Sequence, residues 1–406
     1  MTRGMSLTRT PLLWVAAAAL LVAGFAGVSS SGAAAAKVGP PITVGILCTC
    51  SGPFGGNLKA AEDGYEAFVD TVNASGGING HHIKLITEDD QATPGLATSN
   101  AQTLINDKVD AIVDLSQLDS IWAPLVQKSK IPVVGESADN AAFYTYSDFY
   151  PEEGTSNYAV YATIQSLKAA GAKNFAMFYC VEAPVCAQGV PLAQAAGTKL
   201  GVPMVYSAAI SATAPNYDAQ CLAAQQAGAT ALYIADGASV IVESAQNCVQ
   251  VGYSPIFSIP GVAYSPLIAA TNPLNVNLHA GFQGVPLFST IPEVEKMNAA
   301  YNKYFPGLIA NYTVSDYEQH AVTAWASGLL LQDAVKASKL TRTGKPSPAE
   351  IVKGLLALKG DTLDGMAPPL TFKANQDHYV NCGFEGNIVN GITSVGNGGK
   401  AVCGTP

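Results

Sequence analysis

Apolar positions along this chain fall into two alternating periods, and the change from one to the other marks its elements. Ala60, Ala61, Gly64, Tyr65, Ala67, Phe68, Val69 and Val72 recur at mixed three- and four-residue spacing, which gives a helix one apolar face. Gly76-Gly77 should stop it, because glycine tolerates the left-handed conformation that ends helices. Asn79-Gly80 then predicts a tight turn. Ile83, Leu85 and Ile86 lead a strand into the polar cluster Glu88-Asp89-Asp90-Gln91. Helix, turn, strand and acidic loop make half of a βαβ unit.

The same alternation runs on from Ile42, which argues for parallel sheets covered on both faces. Strands are expected at Ile42–Leu47, Ala111–Leu115 and Ile131–Val134, with helices from about Leu58, from Pro94 to Asn106, and up to Lys128. Tyr144–Thr155 is aromatic, acidic and irregular, and the chain should first cross between domains there, near Glu153. A second run follows, with helices Tyr158–Ala170, Val190–Leu200, Tyr217–Ala227 and Val240–Val251. Its strands are Asn174–Tyr179, Met204–Ala208, Ala231–Ala235, Pro255–Ile259 and Gly281–Pro286. Helices Pro292–Tyr304 and Ser315–Ser338 should return to the first domain, and Ser347-Pro348 should cap a helix to Leu358. Ile388–Thr393 with Gly396–Gly399 closes on a small hairpin.

The segment Asn73–Asp90, preceded by Thr43-Val-Gly-Ile-Leu and by Ser51-Gly52-Pro53, resembles the opening of type I periplasmic solute-binding proteins of the branched-chain amino-acid-binding branch. Order and spacing agree over about fifty residues, a more specific signal than a lone glycine motif. The resemblance implies an α/β fold of two doubly wound parallel-sheet lobes joined by a three-stranded hinge. Residues 37–153 and 288–366 would form the first lobe, and 154–287 with 367–406 the second. Ala367–Phe372 resembles the short strand of the third crossing.

Composition narrows the class. With 13% charged residues and a net charge of -9, no clustered basic footprint for nucleic acid is expected. Arg3 and Arg9 precede the apolar run Leu12–Phe25, and small residues follow through Ala36, the order of a secretory signal cleaved near Ala36. An uncleaved signal anchor is the alternative. The expected product is exported, soluble once its signal is removed, and periplasmic, cell-wall-associated or extracellular. All eight cysteines lie beyond the cleavage point, and an even number in an exported chain suggests disulfides. Locality favours Cys180 with Cys186 and Cys382 with Cys403, and Cys221 could pair with Cys248 across successive helices. Cys48 and Cys50 would form a tight ring or stay reduced. Cys-x-Cys without a second close pair is poor zinc spacing, so no metal and no cofactor are expected.

What the resemblance implies about the site rests on loops leaving the same ends of neighbouring strands, which converge on one crevice. Ser51, Phe54 and Asn57 follow the first strand, Ser116 and Ser120 the third, and Ser137, Ala138 and Asp139 the fourth. In the second lobe the candidates are Tyr179, Glu182, Asp236, Gly237 and Tyr264. Each residue also has a plain structural reading, as helix cap, strand-end core or solvated loop acid. The family places a glutamate in the loop matching Pro260–Tyr264 to pair with a ligand ammonium, and this chain has none there. Either Glu182, Asp236 or Asp139 takes over, or the ligand has no amino group at that point.

No Gly-x-Ser-x-Gly, P-loop or His-Glu-x-x-His occurs. His81-His82, adjacent in a turn, reads as a solvated pair, because neighbours on a strand point to opposite faces and chelate poorly. The expected function is a monomeric receptor, not an enzyme, that captures a small amino-acid-like or carboxylate-bearing solute and delivers it to an ABC permease. A sensor presenting its closed form to a membrane receptor, or a secreted enzyme on the same fold, are the alternatives.

Overall fold

In the computed structural model the residues described are 38–51, 55–136, 140–182, 184–307, 309 and 318–404. The segment read as a secretory signal lies outside them. Among the described residues, no helix is long and apolar enough to cross a membrane.

The first run of the chain is β1 (Ile42–Cys48), α1 (Gly55–Ala74), β2 (Ile83–Asp89), α2 (Pro94–Asn106), β3 (Ala111–Leu115), α3 (Asp119–Ser129), β4 (Val133–Val134) and β5 (Phe149–Tyr150). These strands make a parallel sheet of order β2-β1-β3-β4-β5. Every residue of β3 is buried, as both faces of a central parallel strand require. The helix and turn at the start of this run follow local chemistry closely. All eight apolar-face positions of α1 are buried, Gly76 and Gly77 take positive φ after it, and Asn79-Gly80 closes a bridge between Ile78 and His81.

The second run is α4 (Ser156–Ala169), β6 (Phe175–Cys180), α5 (Pro184–Leu200), β7 (Met204–Ile210), α6 (Asp218–Gln226), β8 (Ala231–Ala235), α7 (Ala238–Gln250), β9 (Ile256–Pro260), α8 (Pro266–Ala270) and β10 (Asn277–Phe282). The chain then goes back to the first sheet with α9 (Pro292–Tyr304), α10 (Gln319–Ser338) and α11 (Pro348–Leu355). It ends in β11 (Cys382–Val389), β12 (Ile392–Val395) and β13 (Val402–Cys403). The second sheet has the order β12-β11-β10-β9-β8-β6-β7, with β13 beside β11. Its first five strands in sequence are parallel, while β11 joins β10 antiparallel and forms the expected hairpin with β12.

α10 packs along α1, and glycine sets how closely. A Cβ on Gly64 would lie 2.7 Å from the Ala321 carbonyl oxygen, and one on Gly328 would overlap the Phe68 ring. Phe68 then meets Trp325 edge-on, with ring centres 5.3 Å apart. Where the two lobes join, the three passing segments bond directly to one another. Gly154 N–H donates to Gln283 O at 3.0 Å, Thr155 N–H to Val380 O at 2.9 Å, and Val285 N–H to Met366 O at 3.0 Å.

Three expectations are corrected. The strand expected at Gly281–Pro286 starts and ends about four residues earlier, because β10 pairs Asn277–Phe282 along β11 and its successors belong to the crossing. Ala367–Phe372 is not a strand but is held by one bridge, Asp361 to Leu370. His81 is fully buried, its ring nitrogens bonded to Pro40 O at 2.6 Å and Thr341 O at 2.9 Å, partners the local sequence does not reveal.

All eight cysteines are paired, Cys180 with Cys186, Cys221 with Cys248, Cys382 with Cys403, and Cys48 with Cys50. The Cys48 and Cys50 sulfurs and a Glu62 carboxylate oxygen lie within 4.8 Å of one another. Joined sulfurs offer no thiolates, so this cluster has no strong metal ligand while the bond stands.

Candidate functional site

The carboxyl-end loops of both sheets open onto one cavity of about 720 Å³, within the ~300–1,000 Å³ range of small-molecule sites. From the first lobe come Leu58 on α1, Gln117 after β3, and Ala141 and Tyr144 before β5. The second lobe contributes Ser156 and Asn157 at the start of α4, Glu182 after β6, Ala212 after β7, Asp236 and Gly237 after β8, and Pro260 to Ala263 after β9. Gln283 at a crossing and His320 at the start of α10 line it between the lobes. The wall is mainly apolar, and none of the described residues on it is Lys or Arg.

Two polar atoms stand out on that wall. Ser156 Oγ and Asp236 Oδ2 are buried and have no hydrogen-bond partner among the described residues. Thr155 caps α4 by accepting from Tyr158 N–H, which leaves the Ser156 hydroxyl out of the cap. The Asp236 carboxylate accepts from Gly237 N–H through Oδ1 at 2.7 Å, so its other oxygen is free for a guest. Burial, with the Glu182 charge as a smaller cause, pushes the Asp236 carboxyl up to about 6. A buried acceptor without a donor is costly, which makes this a strong point of recognition.

Glu182 behaves differently. Its slight burial works upward and is outweighed by hydrogen bonds from Ala212 N–H, Ser211 Oγ and Val181 N–H, which hold its carboxyl below the ordinary range. It braces the loops after β6 and β7 while facing the cavity.

Beneath the cleft lies a polar junction. Glu136 accepts from Thr323 Oγ1 and lies 3.4 Å from His320 Nδ1, and its own N–H donates to Glu152 Oε2 at 2.8 Å. Burial, and then the Glu136 charge, push the Glu152 carboxyl well above its ordinary value. Gln283 Nε2 donates to Glu153 Oε1 at 3.0 Å and to Gly154 O at 3.1 Å. Glu152 and Glu153 therefore sit next to the first crossing at Gly154, with Glu136 bonded to Glu152.

Of the residues singled out in the sequence, Glu182, Asp236 and Gly237 are on the cavity wall, as are Cys180 and Cys186. Ser116 is buried, and its hydroxyl donates to Asp90 Oδ2 at 2.5 Å and accepts from Leu118 N–H, the work of a turn. Ser51 Oγ is bonded to Asp89 at 2.5 Å and Ser120 is exposed. Tyr179 packs against the core below α4 and α5, and Tyr264 is buried against Phe282 and Phe288. Phe54, Ser137, Ala138 and Asp139 lie outside the described residues, as does the Asn57 side chain. Sequence reasoning missed Leu58, Gln117, Tyr144, Ser156, Gln283 and His320. Ser156 carried a signal, since it follows Thr155 at a helix start, but the others reach the wall through long-range packing.

The model of the periplasmic binding protein family matches residues 41–391. Among solved structures, a branched-chain amino-acid ABC transporter protein from Thermus thermophilus with bound valine superposes with a TM-score of 0.78 at 12% identity. That alignment covers 91% of this chain and 98% of the other. A fatty acid ABC transporter substrate-binding protein from Thermomonospora curvata gives 0.72 at 18% identity, over 91% and 95%. A solute-binding protein of an ABC transporter from R. palustris in complex with benzoate gives 0.68 at 16%, over 90% and 98%. These neighbours are binding proteins rather than enzymes. Comparison with curated proteins finds no match in sequence.

Proposed function

Because the chain belongs to the periplasmic binding protein family, we propose that it is an extracytoplasmic receptor that captures a small organic solute, amino-acid-like or carboxylate-bearing, and delivers it to an ABC permease. The observation that carries this reading is the cavity of about 720 Å³ whose wall is drawn from both sheets. A solute there touches both lobes at once, so its binding energy biases the population toward the closed form.

In this reading the first lobe comprises residues 37–153 and 288–366 and the second 154–287 and 367–406. The three bonded crossings at Gly154, Val285 and Val380 support that division. Asp236 takes the place of the missing glutamate in the loop after β9 and accepts from the solute's ammonium or another donor. The Ser156 hydroxyl, left out of the α4 cap, suits an acceptor on the solute.

A thermal-shift screen tests the proposal, since anything bound only to the native state raises the melting temperature by mass action. Amino acids, aromatic acids, short amides and alkyl amines or acids form the panel. A rise that grows with concentration of one class supports the receptor, and a flat response across all of them counts against it.

A further inference from the structure

The fixed charges on the cleft wall are of one sign. Glu182 and Asp236 line the cavity, and no described residue there is Lys or Arg. The internal segments outside the described residues, 52–54, 137–139, 183, 308 and 310–317, contain neither residue. Lys59 follows the wall residue Leu58 on α1, but its ammonium is held by Glu62 at 2.9 Å and Asp63 at 2.6 Å. His320 lies 3.4 Å from the Glu136 carboxylate, which opposes any charge it takes up. Hydrogen bonds from Ser211 Oγ and Ala212 N–H favour the ionised form of Glu182.

Donors that would suit an anion already have acceptors inside the protein. In the loops after β1 and β3, Thr49 Oγ1 donates to Asp90 Oδ1 at 2.8 Å, Ser116 Oγ to Asp90 Oδ2 at 2.5 Å, and Ser51 Oγ to Asp89 Oδ2 at 2.5 Å. At the start of α4, Ser156 N–H donates to the Tyr144 hydroxyl at 3.2 Å and Tyr158 N–H to Thr155 Oγ1 at 3.2 Å. At the start of α7, Gly237 N–H donates to Asp236 Oδ1 at 2.7 Å. That helix N-terminus, a place that favours negative charge, already has its carboxylate. Gln117, Asn157, Gln188 and Ser239 add amides and a hydroxyl to the wall, which bond donors and acceptors alike and set no preference of charge.

We infer that the solute is held as a net cation: an organic amine, or an amino-acid derivative whose carboxyl group is blocked, with an apolar body against the mainly apolar wall. The inference rests on the receptor reading above and narrows its ligand to one charge class. An ammonium beside Asp236 meets a carboxylate oxygen that has no partner among the described residues, and the Glu182 charge adds to the attraction. A carboxylate in the same space would give up its water beside two acids with no cation to receive it, which is costly.

The test is calorimetric titration at pH 7 with three sets of compounds, built on valine, leucine and phenylalanine. Each set keeps one hydrocarbon body and holds the amino acid, its amide, the decarboxylated amine and the deaminated acid. In at least one set the amine and the amide should bind roughly 10- to 100-fold more tightly than the zwitterion or the acid, the factor expected for a charged hydrogen bond. Asp236→Asn should remove most of that preference. Melting curves establish that the variant is folded, and Glu182→Gln gives a second reading of the same effect. Binding of zwitterions or acids with no set that favours the amine overturns this inference and leaves the receptor standing. So does a preference for the amine that both variants leave unchanged. No binding by any compound overturns both.

Discussion

The N–H of Gly154 donates to the carbonyl of Gln283 at 3.0 Å, so the first and second crossings between the lobes are bonded backbone to backbone. Glycine is needed for this approach, because a Cβ on residue 154 would overlap the Cys382 carbonyl oxygen. Gly154→Ala must push the crossings apart. It should cost roughly 1–3 kcal/mol, the range for overpacking, read as a lower urea midpoint with unchanged slope. An unaltered midpoint would show that the crossings are not tightly set.

Glu152 is buried beside Glu136 next to the first crossing, and its carboxyl is held above the ordinary range by burial and by that charge. The folded protein then binds more protons than the unfolded chain as pH rises from the ordinary carboxylate value to the raised one. Stability falls through that window. Glu152→Gln removes the titration while its amide oxygen still accepts from Glu136 N–H. The variant should melt higher than wild type by pH 8 and show a flatter pH profile. Parallel profiles from pH 5 to 9 would contradict the assignment.

Burial pushes the Asp236 carboxyl up to about 6. Wild-type affinity for an amine-bearing solute should therefore drop as pH falls through about 6. Asp236→Asn should weaken that solute by roughly 10- to 100-fold at pH 7, as expected for a charged hydrogen bond worth ~1.5–3 kcal/mol. Its affinity should change little between pH 5 and 8. Equal pH profiles by titration calorimetry would remove Asp236 from recognition.

Cys221 on α6 and Cys248 on α7 are fully buried and bonded across a sequence separation of 27. Replacing both by alanine frees the unfolded chain and should lower stability by roughly 3 kcal/mol, with the entropy of loop closure as the main cause. Chemical denaturation in the absence of reductant measures it. A loss below about 0.5 kcal/mol would mean the helices hold that geometry unaided.

How much was legible depended on distance along the chain. The helix face from Ala60 to Val72, its stop at Gly76-Gly77 and the Asn79-Gly80 turn follow from local sterics, and the structure reproduces them. The resemblance likewise rested on that contiguous stretch. His81 was misread because its partner Thr341 lies some 260 positions away. Ser116 carries a site-like residue type, yet its hydroxyl is committed to Asp90. Asp236 was visible as an acid at a strand end, where a sheet edge offers a crevice, but its unpaired oxygen was not.

The most direct test is a crystal structure with the solute that most raises the melting temperature. The account predicts density in the cleft, with contacts to Gln117 or Tyr144 on one side and to Ser156 or Asp236 on the other. A solute seated outside the cleft, or touching one lobe alone in a fully closed molecule, would contradict it.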